Sequence, residues 1–300
     1  MRISTSSYFT MNLAAMQDKQ ATIFHVQQQM ATGRRIVTPS DDPIGAARAL
    51  QTARALSVSE NSLESIAKAQ TRIKAESTTL EAIRQVLQSA KDTAVSAGTN
   101  PSTQERTSFA NYLTQVYDDL RGYANSTDAE GNYLFSGFKN VAPFSQITGA
   151  SSYQGDNAKR YVSISSNQQV QVSDSGQEVF SVGTANDPFA VISQFITDLQ
   201  NPALTGAAFD AAADTAISGL ENALSKVEQI SDHVAVRFQQ LDTAKEVETQ
   251  YKLQYEDELD RIESVDMLTA GVQLQLLQTT LEATQRAFIN ASQLNLFNLL

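Results

Sequence analysis

Apolar residues recur along most of this chain at alternating spacings of four and three, the period of helices that bury one face. The first series runs Phe9, Leu13, Met16, Gln20, Ile23, Gln27, Met30. A second passes Leu50, Leu56, Leu63, Ile66, Ile73, Leu80, Ile83 and Leu87 to Ala94, and a third Phe109, Leu113, Val116, Leu120 and Tyr123. After about Thr215 the period returns through Leu220, Leu224, Val227, Val234, Phe238, Leu241, Tyr251, Tyr255, Leu259 and Ile262. A last series carries Met267, Ala270, Leu274, Leu277, Leu281, Phe288 and Ala291. Punctuation agrees: Gly33 reads as a helix stop, Pro39 and Pro43 bound a short loop, and Gly98 with Asn100-Pro101 ends the second helix. Asp42 is placed to cap that helix with Pro43 in its first turn. Its rod of roughly 80 Å far exceeds an ordinary globular helix.

Between about Val141 and Val182 the helical period lapses. Tyr161–Ser165 and Val170–Ser173 alternate as half-buried strands do, and Asp187-Pro188 opens a short helix with Phe189, Ile192, Phe195 and Leu199. Long rods of similar length on either side pair best with each other. The expected fold is therefore mainly α, an elongated antiparallel helical rod with a small β-containing insert domain at its tip. The expected division is an N-terminal assembly helix over 1–40, a rod over 41–140 and 216–265, a mixed α/β insert over 141–215, and a C-terminal assembly helix over 266–300.

Composition narrows the function by exclusion. A net charge of −11 opposes binding to nucleic acid or to an anionic membrane. No cysteine means no disulfide, no thiolate nucleophile and no cysteine-ligated zinc. No stretch reaches the ~20 apolar residues of a membrane span, and Met1–Ser6 lacks the apolar core of a cleavable signal. Asp41-Asp42 suits a loop and a helix cap better than a metal pair. Asp128–Asn132 lacks the ligand spacing of a calcium loop and reads as a turn. His25 and His233 have no neighbouring ligand pattern. With no nucleophile elbow and no phosphate loop, no catalytic, cofactor or metal site is expected.

Both ends are apolar and poor in charge. Between Ile3 and Gly33 only Asp18 and Lys19 are charged, and nothing after Arg286 is. Such stripes need burial, because packing supplies most of a helix's stability. They either complete a bundle within the chain or dock on neighbouring subunits and order on assembly. The residues expected to carry these contacts are Phe9, Leu13, Met16, Ile23, Met30, Leu274, Leu277, Leu281, Phe288, Leu296 and Phe297.

Gly33-Arg34-Arg35-Ile36, followed by Pro39-Ser40-Asp41-Asp42-Pro43, resembles the N-terminal signature of the bacterial flagellin family. Gly131-Asn132-Tyr133-Leu134-Phe135-Ser136-Gly137, Tyr153-Gln154-Gly155-Asp156, the start Met1–Thr5 and Leu294–Phe297 are similar to its branch at the junction of hook and filament. The resemblance implies a structural subunit exported unfolded through the flagellar type III apparatus, extracellular in place, without a cleaved signal. It implies a ring of copies between the other hook–filament junction protein and the first flagellins, terminal helices innermost. It also implies a cytoplasmic export chaperone on the C-terminal segment, and Arg34 and Arg35 pairing with carboxylates.

Two other classes set the contrast. Filament flagellin would polymerise alone, and a soluble signalling or secretion coiled coil would show protected termini in a solution dimer. An enzyme has the least support.

Overall fold

The computed structural model describes residues 5–99, 101–145, 153–165 and 168–297, with the side chains of residues 5, 6, 8 and 291–297 outside that description. Seven α-helices and one two-stranded sheet are described: α1 (Thr5–Thr32), α2 (Pro43–Ala97), α3 (Thr103–Ala124), β1 (Tyr161–Ser165), β2 (Gln168–Gln171), α4 (Gly176–Val179), α5 (Pro188–Gln200), α6 (Ala207–Glu263) and α7 (Met267–Phe297). The mainly helical class with a small β element is therefore observed. The chain divides into two compact units, one of Met1–Ser59 with Gln250–Leu300 and one of Glu60–Thr249, so α2 and α6 each contribute to both.

In the unit 60–249, α2 and α6 run antiparallel: Lys91 Nζ lies 3.7 Å from Glu221 and Gln70 Nε2 donates to Asp242 at 3.4 Å. Ile66, Ile73, Leu80, Ile83 and Leu87 of α2 are fully buried, as are Leu113 and Leu120 of α3 and Leu220 and Leu241 of α6. α5 packs along α3, with Tyr117 edge-on to Phe189 at 5.6 Å. Asp187 caps α5 through the Phe189 and Ala190 amides, with Pro188 in the first turn as expected. α3 opens on a Ser102–Glu105 capping box that the sequence reading passed over. Beside these helices sits an aromatic nest of Phe135, Phe144, Phe180 and Phe189, with Phe144 stacked 4.8 Å from Phe189 and edge-on to Phe180 at 5.0 Å.

Three expectations are corrected. Leu50 is exposed and Ala49 buried, because the seam counted back from Ile66 in threes and fours passes Ser59, Thr52 and Ala49 and leaves Leu50 one position out. Phe238 and Tyr251 are also exposed. Arg237 takes the inward position beside Phe238 and reaches Asp174, and the half-buried position beside Tyr251 belongs to Lys252, whose stem suits such a site. The second strand is Gln168–Gln171 rather than Val170–Ser173. It pairs antiparallel with β1, Val162 opposite Val170, with a bulge between Ser163 and Ser165. Beyond the strand the Val172 amide still donates to the Arg160 carbonyl at 2.8 Å and the Ser173 hydroxyl accepts the Arg160 amide at 3.0 Å, after which Asp174 enters the core.

Candidate functional site

In the unit of 1–59 and 250–300, α1 and α7 pack against each other. Phe9 meets Phe288 edge-on at 5.3 Å, while Met30 Cε lies 4.0 Å from where a side chain on Gly271 would begin. The start of α1 is thus beside the far end of α7, which makes the pair antiparallel. Met16, Ile23, Leu274, Leu277 and Leu281 are half-buried along this seam, and Val26 and Ala270 are buried. Leu13 and Gln27 face outward, with Asn12 and Val26 in the inward positions. The Leu296 and Phe297 side chains, and residues 1–4 with their share of the motif, lie outside the described residues.

The seam does not cover all of the pair's apolar surface. Met11, Leu13 and Phe24 of α1 are exposed, as are Leu268 (79%), Val272 and Leu276 of α7. The last three stand one turn apart along an open groove of about 570 Å³ whose remaining walls are Met267, Gly271, Gln275 and Thr279. No charged side chain lines it. Apolar surface of this extent is a signature of protein association.

The family-like motif Gly33–Pro43 forms a clasp where α1 leads to α2 and α6 leads to α7. Gly33 ends α1 at φ +70°, a left-handed conformation that glycine adopts without strain. Arg34 then pairs antiparallel with Ser264. The Arg35 amide donates to the Glu263 carbonyl at 2.5 Å, and the Val265 amide to the Gly33 carbonyl at 3.0 Å. Side chains reinforce the crossing: Arg34 Nε lies 3.3 Å from Glu263, and Arg35 Nη2 donates to the Ile262 carbonyl at 3.0 Å and to Asp42 at 3.2 Å. Both arginines meet carboxylates within the chain. Ile36 is buried against Gly45 at the start of α2, and Pro39 lies in the exposed loop.

Asp41 and Asp42 divide their work as loop and cap. Asp41 accepts the Val37 and Thr38 amides at 3.0 and 2.8 Å and the Thr38 hydroxyl at 2.9 Å, and its other near neighbour is His25 Nε2 at 3.1 Å. These bonds, the Thr38 amide foremost, bring its pKa to about 2 against a smaller opposing effect of burial. Asp42 caps α2 by accepting the Gly45 amide at 2.8 Å, and this bond, then Arg35, holds its carboxyl below the ordinary range. A side chain on Gly45 would collide with the Asp42 carboxylate and Ile36. Asp266, which the sequence reading did not single out, caps α7 through Leu268 and Thr269, and the Thr269 hydroxyl foremost lowers its pKa.

The motif Gly131–Gly137 belongs to the other unit, 60–249. Asp128 and Gly131 (φ +81°) close a turn through a 3.0 Å bond, and Thr127 pairs with Tyr133 across it. Phe135 is wholly buried. The structure brings this motif onto Tyr153–Asp156: Tyr153 Oη lies 2.9 Å from the Phe135 carbonyl and 2.8 Å from that of Asp156. Burial raises the Tyr153 hydroxyl to about 12. Gly137 (φ +71°) is packed against Asp156 so closely that no side chain fits. The two segments are one structural site, which their separation in sequence hid.

No group of three or more His, Asp or Glu side chains able to hold a metal ion occurs among the described residues, and no described helix is long and apolar enough to cross a membrane. What this arrangement offers is two paired helices with an uncharged apolar groove on α7 and few exposed charges elsewhere, joined to the rod helices through an ionic clasp.

Comparison with known proteins follows the same lines. Residues 3–140 match the family described as the bacterial flagellin N-terminal helical region. Over its full length the chain is similar to the flagellar hook-associated protein 3 of Salmonella typhimurium, with 28% identity across 319 aligned positions, 100% of this chain and 99% of that one. Its counterpart from Escherichia coli gives the same identity and coverage. Among solved structures, a candidate flagellar hook-associated protein from Vibrio parahaemolyticus shares the fold with a TM-score of 0.70 at 22% identity, over 75% of this chain and 100% of that one.

Proposed function

We infer, from the chain's likeness to the bacterial flagellin family, that it is a structural subunit of the flagellum, the adaptor that joins hook to filament. The observation that carries this reading is the likeness to hook-associated protein 3 across the whole chain, both terminal helices included. Filament flagellin is the weaker reading, because the curated relatives that align end to end are junction proteins.

In this reading the subunits form a ring between the other hook–filament junction protein and the first flagellins. The subunit is extracellular, exported without a cleaved signal, and held beforehand by a cytoplasmic chaperone on its C-terminal segment. Segments 1–40 and 266–300 serve as assembly helices, 41–140 and 216–265 as the rod, and 141–215 as the insert. The eleven seam and tail residues from Phe9 to Phe297 act in assembly in two ways. Phe9, Met16, Ile23, Met30, Leu274, Leu277, Leu281 and Phe288 keep α1 on α7. Leu13, with Leu268, Val272 and Leu276, presents apolar surface to neighbouring subunits, and Leu296 and Phe297 extend the C-terminal contact.

Leu281→Asp tests the reading, because it puts a carboxylate into the seam without touching the unit 60–249. In a strain lacking its own copy, the wild-type chain should restore attached filaments, and the variant should be exported but leave hooks bare. Attached filaments with Leu281→Asp would overturn the assembly role of this seam, and failure of the wild type in its own host would overturn the junction function.

A further inference from the structure

We propose that the cleft between α2 and β1 in the unit 60–249 binds a carboxylate-bearing ligand with a flat apolar body, the Arg160 guanidinium engaging the carboxylate. The cleft holds about 440 Å³, and its floor is apolar, formed by Ala69, Ala75, Val162 and Val172. A concave apolar floor with a few convergent polar groups is the ordinary form of a small-ligand site.

Its charges are unevenly matched. Lys68 is taken by Glu64 at 2.7 Å. Arg72 is engaged by a short ion pair with Asp128 and its Nη2 donates to the Tyr133 carbonyl at 3.3 Å, while its buried Nε has no partner among the described residues. Arg160 is different. Its Nε donates to the Gly137 carbonyl at 3.1 Å and its guanidinium lies 5.7 Å from the Phe138 ring centre. No carboxylate among the described residues pairs with it. One bond and one ring therefore fix its orientation, while the two Nη groups remain as a fork of the shape that carboxylates fit. The charge of Arg160 also bears on Arg72, whose basicity is depressed first by burial and next by this neighbour. An anion would relieve that repulsion. Glu130 also lines the cleft but is exposed, so water screens its charge more than it screens the half-buried Arg160.

The flat body follows from Phe138 and Tyr161, both lining the cleft and 62% and 57% exposed. Two large rings left to solvent beside an oriented guanidinium offer stacking surface as well as charge. Two sources supply such chemistry: a free aromatic carboxylate, or an acidic side chain next to a ring on a second copy of this net-acidic chain.

The test titrates the full chain with benzoate and with uncharged benzamide while following the Arg160 Nε–H and the Tyr161 and Val162 amides by NMR. Benzoate should give saturable shifts, benzamide none or weaker ones, and Arg160→Gln should weaken benzoate binding about tenfold or more. Phe138→Ala, a change at an exposed ring, should weaken it too and serves if Arg160→Gln fails to fold. Equal response to both probes, no response to benzoate, or full benzoate binding by a folded variant would overturn the proposal. Sedimentation separates the sources. Self-association competed by benzoate and lost in the variant identifies a second copy as the natural ligand, and a monomer that binds benzoate identifies a free carboxylate.

Discussion

At the scale of single residues, the most consequential group is one that sequence reading passed over. Glu76 of α2 lies on the heptad seam where an apolar residue is expected, and it is 1% exposed. Its Oε1 accepts the Asp174 amide at 3.1 Å, and its Oε2 has no partner among the described residues. Asp174 is itself buried and held by Arg237 through two bonds of 2.7 and 3.0 Å, with Gln171 donating at 2.7 Å. Burial first, then the Asp174 charge, push the Glu76 carboxyl well above its usual range. A carboxyl whose pKa is higher folded than unfolded favours folding while protonated. Its contribution therefore declines as pH rises from the ordinary carboxylate range through the raised value, by up to about 1.4 kcal/mol per pH unit. Glu76→Gln keeps the Asp174 contact and cannot ionise, so denaturant titrations from about pH 4 upward should show a flatter stability curve than the wild type. Parallel curves would mean that Glu76 is not the titrating group. The glutamate was invisible in sequence because a single acid in a long stripe reads as a solvated interruption.

At the scale of elements, the helices were legible and their faces only partly so. A spacing of four and three locates a helix. A slip of one position turns a side chain by about 100°, so the period that predicts Leu50, Phe238 and Tyr251 inward finds Ala49, Arg237 and Lys252 in those positions. Asp42-Pro43 was readable as a cap because the chemistry is local. The crossing of Gly33–Arg35 over Glu263–Val265 joins residues some 230 positions apart, and no local signal announces it. This clasp depends on ionised acids. Asp41, at about 2, and Asp42 and Asp266, both lowered, contribute stability that is present above the ordinary carboxylate range and is lost as pH falls toward their own values. Relative to each amide's intrinsic rate, exchange at Thr38, Gly45 and Leu268 should accelerate between about pH 4 and pH 2 beyond what core amides such as Leu120 show. Arg35→Gln, which removes the ties to Ile262 and Asp42, should bring that acceleration to higher pH. Unchanged exchange in the variant would assign the clasp's strength to its backbone bonds alone.

At the scale of the whole molecule, the burial pattern differs between the two units. The unit 60–249 contains fully buried phenylalanines, isoleucines and leucines in several packed elements, whereas the α1–α7 seam is half-buried along most of its length. Local opening follows burial, so the terminal helices should open first. Limited proteolysis of the isolated chain should cut within α1 and α7 and leave a resistant fragment near 42–265, while the same protease on assembled flagella should spare both ends. Equal resistance of all helices in the isolated chain would place the terminal pair in the permanent core and weaken the assembly reading. Charge-poor ends pointed to these segments in the sequence. Which of their residues face each other and which face outward required the pair to be seen together.

The clasp has a mechanical consequence. Its two backbone bonds run in opposite senses, from Val265 back to Gly33 and from Arg35 to Glu263, so neither connector swivels without carrying the other. A torque applied to α1 alone would be shared between both chain crossings. In the proposed junction role, coupling of this kind would let the terminal pair meet unlike neighbours without its own ends being pulled apart.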